Sequence, residues 1–291
     1  MSDSVLVYRA FIAAYVFLLL LHIAGLILLF KARNDLPNQR LLTKNLAVAE
    51  ISFCLSKIVT FSALLYHRSF WTSLLDNFLS CFSVTVIRLS MLHIILDRFI
   101  EIYSNIKYPL LMTFKRFLIL IATNWAVSVI SATIITVLVA VTKSIALIFR
   151  VFLLLLLILD ITVLLSAITT YVNFYSKVLS IRRLEVNSIG LPEESRLNLL
   201  RKKFKQPCYI VITYVCFNVT STVLMQTYNS ARDARKRWLL YISYQALLIV
   251  GLTSDVLIYI LANKNVYKLL CSFFRKQNVQ RSRRVGDLAL H

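Results

Sequence analysis

Apolar positions in this chain run in long unbroken stretches. They show neither the strict alternation of a half-buried strand nor the one-sided stripe of a soluble helix. Ala10–Phe30, Phe117–Thr142 and Gln206–Ala231 contain no charged residue. Val151–Ser176 contains only Asp160, and Phe78–Leu96 only Arg88. Leu46–Tyr66 contains Glu50 and Lys57, and Trp238–Ser254 is clean and continues past Asp255 to Asn263. A helix needs about 20 mostly apolar residues to cross a bilayer. The pattern therefore predicts seven spanning helices, at about 8–31, 42–66, 74–103, 114–141, 148–180, 202–229 and 237–262. A short amphipathic eighth helix comes next at about 264–275, then a tail, 277–291. Strands of a membrane barrel would be shorter and alternating. The fold class expected is all-α: a seven-transmembrane helix bundle, with residues 1–276 as one domain.

Composition agrees. The chain is 59% hydrophobic and 16% charged, against about 25% charged in a soluble domain. Four Gly and four Pro leave little material for Gly-rich phosphate loops. Net charge is +20, which in a soluble protein would suggest a nucleic-acid partner. Here the basic residues have another use, because cytoplasmic loops retain Lys and Arg. With the N-terminus outside, 23 of the 33 basic residues fall on the inner side. The densest group is Arg196–Lys205. This excludes a nucleic-acid footprint and predicts N outside, C inside. Arg235–Arg237, in the last outer loop, runs against that rule. The loops are short, and no internal repeat supports an inverted-repeat transporter.

Three segments then stand out. Asn45-Leu46-Ala47-Val48-Ala49-Glu50 lies in span two. Asp97-Arg98-Phe99 closes span three and leads into Lys107-Tyr108-Pro109. Asp255-Val256-Leu257-Ile258-Tyr259 lies in span seven, and Trp125 in span four. In this order, on these helices, they resemble the rhodopsin-like (class A) G-protein-coupled receptors, as N-L-A-x-x-D, D-R-Y and D-P-x-I-Y. The resemblance covers nearly the whole chain. It implies a receptor in the plasma membrane that passes an extracellular ligand signal to a heterotrimeric G protein and catalyses no reaction. It implies that Arg98 pairs with Asp97 at rest and meets the G protein when active. Phe99, Lys107 and Pro109 would then belong to the coupling surface, with Tyr175 and Tyr259 as switch tyrosines. Glu50 and Asp255 would share a watery core, and a sodium ion there is one option. Two close carboxylates resist joint ionisation, so one of them is expected to hold a proton. Arg88 is expected to be a counter-charge in the bundle.

The departures are informative. Span one has no Asn. Span six reads Cys216-Phe217-Asn218-Val219 where the family has C-W-x-P, so Phe217 takes the toggle position and the kinking Pro is missing. Ala167 replaces the span-five Pro, and the outer disulfide is absent. A short second outer loop and D-x-x-I-Y are similar to the melanocortin and cannabinoid-type branch. Span seven has no Lys for a Schiff base, so no retinal and no other cofactor is expected. Cys271, just past span seven, is a candidate for palmitoylation. His22, His67, His93 and His291 form no metal spacing with Cys.

By the same resemblance the ligand pocket would draw on Lys57, Asp76, Ser80, Asp160, Thr220, Tyr241, Tyr244 and Gln245. Lys57 could hold an anionic group or pair with one of the acids. The family's amine-anchoring position reads Ser80, which argues against a biogenic amine. The intramembrane charges also suit a small seven-helix transporter or channel, which is the alternative expectation. A scaffold without signalling is a third.

Overall fold

The computed structural model describes residues 2–31, 37–66, 69–104, 108–142, 145–187, 209, 212–261, 267 and 272. The described residues form α1 (Ser2–Lys31), α2 (Pro37–Tyr66), α3 (Phe70–Ser104), the short α4 (Tyr108–Leu111), α5 (Phe114–Thr142) and α6 (Ile145–Asn187). A π-helix (Tyr214–Val219), α7 (Thr220–Ser230) and α8 (Ala234–Leu261) complete the order. There is no strand among them. Six helices, α1, α2, α3, α5, α6 and α8, are long and apolar enough to cross a membrane. The chain is thus an all-helical, multi-pass membrane protein. The seventh predicted span, 202–229, is described only at 209 and from 212 onward.

Leu- and Ile-rich runs form helix here because their own backbone bonds are the only ones apolar surroundings permit. The ends are set by polar residues. At the start of α3, the Thr72 amide donates to Ser69 Oγ at 3.2 Å, and the Ser69 amide donates back to Thr72 Oγ1 at 2.9 Å. This reciprocal pair satisfies two orphan donors in the manner of a capping box. Asp233 caps α8 by accepting from the Arg235 amide at 3.0 Å.

Neighbouring helices pack in chain order, and α8 returns to α1. α3 runs through the middle and touches α2, α5 and α6. Most of the inner packing is one cluster built around Tyr15, Phe53, Phe61, Phe117 and Tyr214, all fully buried. A smaller cluster of Cys81, Ala132, Phe152, Leu153 and Leu156 joins α3, α5 and α6. The outer faces carry large bare apolar side chains such as Leu20, Ile130, Leu155 and Ile158. That surface needs hydrocarbon, not water, around it.

Candidate functional site

The lower end of α3 carries the first constellation. Asp97 and Arg98 are both buried although each is charged. Arg98 Nη2 lies 3.2 Å from Asp97 Oδ2, and Arg98 Nη1 donates to Glu101 Oε2 at 2.6 Å. Tyr108, on α4, donates its hydroxyl to Asp97 Oδ1 at 2.6 Å. Burial, and then the Asp97 carboxylate, push the Tyr108 phenol well above its ordinary value, so it stays a donor. Arg98 is therefore held by two acids on its own helix, and one of those acids is held by the next element. Glu101 and Tyr108 had no assigned role in the sequence. The signal was present as an acid three residues after Arg98, within reach along one helix face.

A second network crosses three helices. Trp125 Nε1 donates to Asn45 Oδ1 at 2.8 Å, and Asn45 Nδ2 donates to Ser90 Oγ at 2.9 Å. Asn124 Nδ2 also donates to Ser90 Oγ, at 2.8 Å. The motif residues Asn45 and Trp125 thus pin α2 and α5 to α3.

A third group joins α1, α2, α8 and the foot of the π-helix. Glu50 and Asp255 are buried within hydrogen-bonding reach of each other. A bond between two carboxyls requires a proton on one of them. Thr213 donates to Asp255 Oδ1 at 2.8 Å. His22 Nδ1 stands 3.2 Å from Glu50 Oε2, without hydrogen-bond geometry. His22 thus places a polar side chain of α1 beside Glu50. No group of three or more metal-ligating side chains occurs among the described residues.

At mid-bundle Arg88 meets Asp160. Nε lies 2.7 Å from Oδ1 and Nη2 3.3 Å from Oδ2. Tyr214 donates to Oδ1, and Thr222 donates to Oδ2 at 2.9 Å. Arg88 Nη2 also donates to Thr222 Oγ1. This buried pair fastens α3 to α6, the π-helix and α7. Buried charges persist only when paired and hydrogen-bonded, and here both conditions hold.

Without the span-six proline, a kink has to come from another source or be weaker. The segment Tyr214–Val219 is a π-helix, which puts an extra residue in the turn. Such bulges are a recognised cause of kinks and concentrate at functional sites. Phe217 lies in this turn, hard against Gly251 of α8. A Cβ on Gly251 would sit 2.8 Å from Phe217 Cβ. Only glycine permits that approach.

Phe217 also lines a cavity of about 740 Å³, open mouth included. Its polar wall is Ser80, Arg88, Asn218, Ser221, Thr222 and Tyr244, and Asp255 is the one carboxylate lining it among the described residues. Of the predicted ligand residues, Ser80 and Tyr244 line it. Lys57, Asp76, Asp160, Thr220, Tyr241 and Gln245 do not. Asp160 is taken up by Arg88. Gln245 is buried and accepts from Tyr15 at 2.8 Å. Thr220, the first residue after the π-turn, is exposed. Lys57 donates to Ser80 Oγ at 2.9 Å, and Ser80 passes the bond to Asp76 Oδ1 at 2.9 Å. Lys57 therefore reaches its acid through a hydroxyl.

Other predicted residues are not gathered. Phe99 stacks on Tyr103, with ring centroids 6.1 Å apart. Tyr175 is 55% exposed. Lys107, Cys271, the side chains of Pro109 and Tyr259, the helix at 264–275 beyond residues 267 and 272, and the tail all lie outside the described residues.

No family model and no curated protein sequence matches this chain.

Proposed function

We propose that this chain is a seven-helix receptor of the rhodopsin-like G-protein-coupled type. Its N-terminus faces outside, and it carries an extracellular ligand signal across the plasma membrane to a heterotrimeric G protein. The observation that carries the reading is Arg98, buried at one end of the central helix and held by Asp97 and Glu101. A charged side chain with two local partners can exchange them for others without being left bare. Two further features support the reading. Asn45 and Trp125 tie three helices together. Phe217, in the π-helical turn Tyr214–Val219, lines the polar-walled cavity.

Ligand would act by its differential affinity for the two forms of the bundle. No covalent step, cofactor or nucleic acid enters. The test is Arg98→Ala, assayed for nucleotide exchange on a panel of G proteins with surface expression measured in parallel. Expression should persist and exchange should fall to background. Normal exchange from a well-expressed variant overturns the assignment.

The transporter reading draws on the chain His22–Glu50–Asp255, which reaches the cavity. Its test is flux into proteoliposomes without G protein.

A further inference from the structure

The cavity has a chemical polarity that the receptor reading does not specify. Asp160 accepts four hydrogen bonds, from Arg88 Nε, Arg88 Nη2, Tyr214 and Thr222. A carboxylate has about four lone-pair sites, so this acid is full. Arg88 makes its bonds to Asp160 and Thr222 through Nε and Nη2. Arg88 lines the cavity and Asp160 does not. The ion pair thus shows the cavity its cationic side and hides its anionic one.

Behind the wall the cavity-lining Ser80 accepts from Lys57 and donates to Asp76, so this second charge pair is balanced at one hydroxyl. The sole lining carboxyl among the described residues, Asp255, is bonded to Thr213 and lies within reach of Glu50. The rest of the lining is apolar, including Phe53, Phe152 and Leu248.

Basic residues outnumber acids around the turn from α7 into α8, where Arg232, Arg235, Lys236 and Arg237 accompany Asp233, and Arg150 stands two residues before the lining Phe152. All are exposed. Arg235–Arg237 are the residues that run against the positive-inside rule. A cationic rim concentrates anions and speeds their capture.

We propose that the cavity takes an amphipathic carboxylate, an apolar body with one anionic head, the head lying on Arg88. This rests on the receptor reading for its biological meaning, but binding itself does not require that reading. A cationic ligand would meet the wrong edge of the ion pair. A neutral one could accept a hydrogen bond from Arg88 but would lack the charge-assisted bond of a carboxylate, so it should bind more weakly.

The experiment measures saturable binding of radiolabelled decanoate to the full chain in lipid nanodiscs, with empty nanodiscs subtracted. Decanol and decyltrimethylammonium serve as competitors. Decanoate should saturate, and the competitors should need at least tenfold higher concentrations to displace it. Arg88→Gln with Asp160→Asn keeps a neutral hydrogen-bonded pair and should weaken binding at least tenfold. Met225→Trp fills the cavity without touching the pair and should do the same. Replacing Arg235, Lys236 and Arg237 with Ala should slow association, and the difference should shrink at high salt.

No saturable decanoate binding by folded protein overturns the proposal. So does equal competition by decanol, or undiminished affinity in both cavity variants. Nucleotide exchange is measured separately. Binding without exchange on any G protein defeats the receptor reading and leaves the ligand class standing. Exchange that depends on Arg98, in a protein that ignores decanoate, does the reverse.

Discussion

Gly251→Ala offers a direct test of how span six is seated. The new methyl would lie 2.8 Å from Phe217 Cβ and 3.3 Å from its Cγ, where ordinary contact begins at 3.4 Å. The π-helix and α8 must therefore part by roughly half an ångström. Two effects oppose. Alanine is favoured over glycine inside a helix by about 0.8–1.0 kcal/mol. Overpacking a tight contact costs about 1–3 kcal/mol. The clash should win, with a net loss of about 1 kcal/mol, read as a lower thermal midpoint of the purified protein in nanodiscs. The first atom struck is Phe217 Cβ, so trimming the ring is not enough. Gly251→Ala should still destabilise in a Phe217→Ala background and should become stabilising in a Phe217→Gly background. A Gly251→Ala protein that is more stable than wild type refutes the close approach.

The remaining contacts lead to further expected outcomes. Asp160→Ala strands Arg88, Tyr214 and Thr222 and should cost about 3–5 kcal/mol, whereas Arg88→Met with Asp160→Leu should be near neutral. Thermal unfolding of the four-member cycle checks this, and simple additivity of the single variants would count against the pair. Tyr108→Phe removes a hydrogen bond to a charged group worth about 1.5–3 kcal/mol and should raise ligand-free nucleotide exchange. Because the Tyr108 phenol is raised in the folded state, its contribution is fully present below the ordinary tyrosine pKa and is lost only as pH rises beyond it. The wild-type to Tyr108→Phe difference in stability should therefore stay constant from pH 6 to pH 9, and a fall within that window would contradict the bond.

The helical, membrane-embedded character was plain in the sequence because it rests on unbroken apolar length, a signal summed over many residues. Motifs that act along one helix, such as Asp97-Arg98, were legible for a similar reason, since spacing alone places them. Pairing across helices leaves no such trace. Arg88, Asp160, Tyr214 and Thr222 lie on three different spanning stretches, and nothing local marks them as partners. His22 was hidden differently, since a lone histidine in an apolar run is normally only a buried side chain. The π-turn was invisible because its cause is not a residue type but one surplus residue in the turn.

A proline bend is written into the covalent chain and is the same in every state of the molecule. The π-turn at Tyr214–Val219 is held only by which carbonyl each amide chooses. Letting those amides step back to the ordinary partner would move the helix register by one residue, a rise of about 1.5 Å. The helix thus carries its own slack. Its length is adjustable in whole-residue steps, and the tight seat of Phe217 on Gly251 acts as the pawl that keeps the step from slipping.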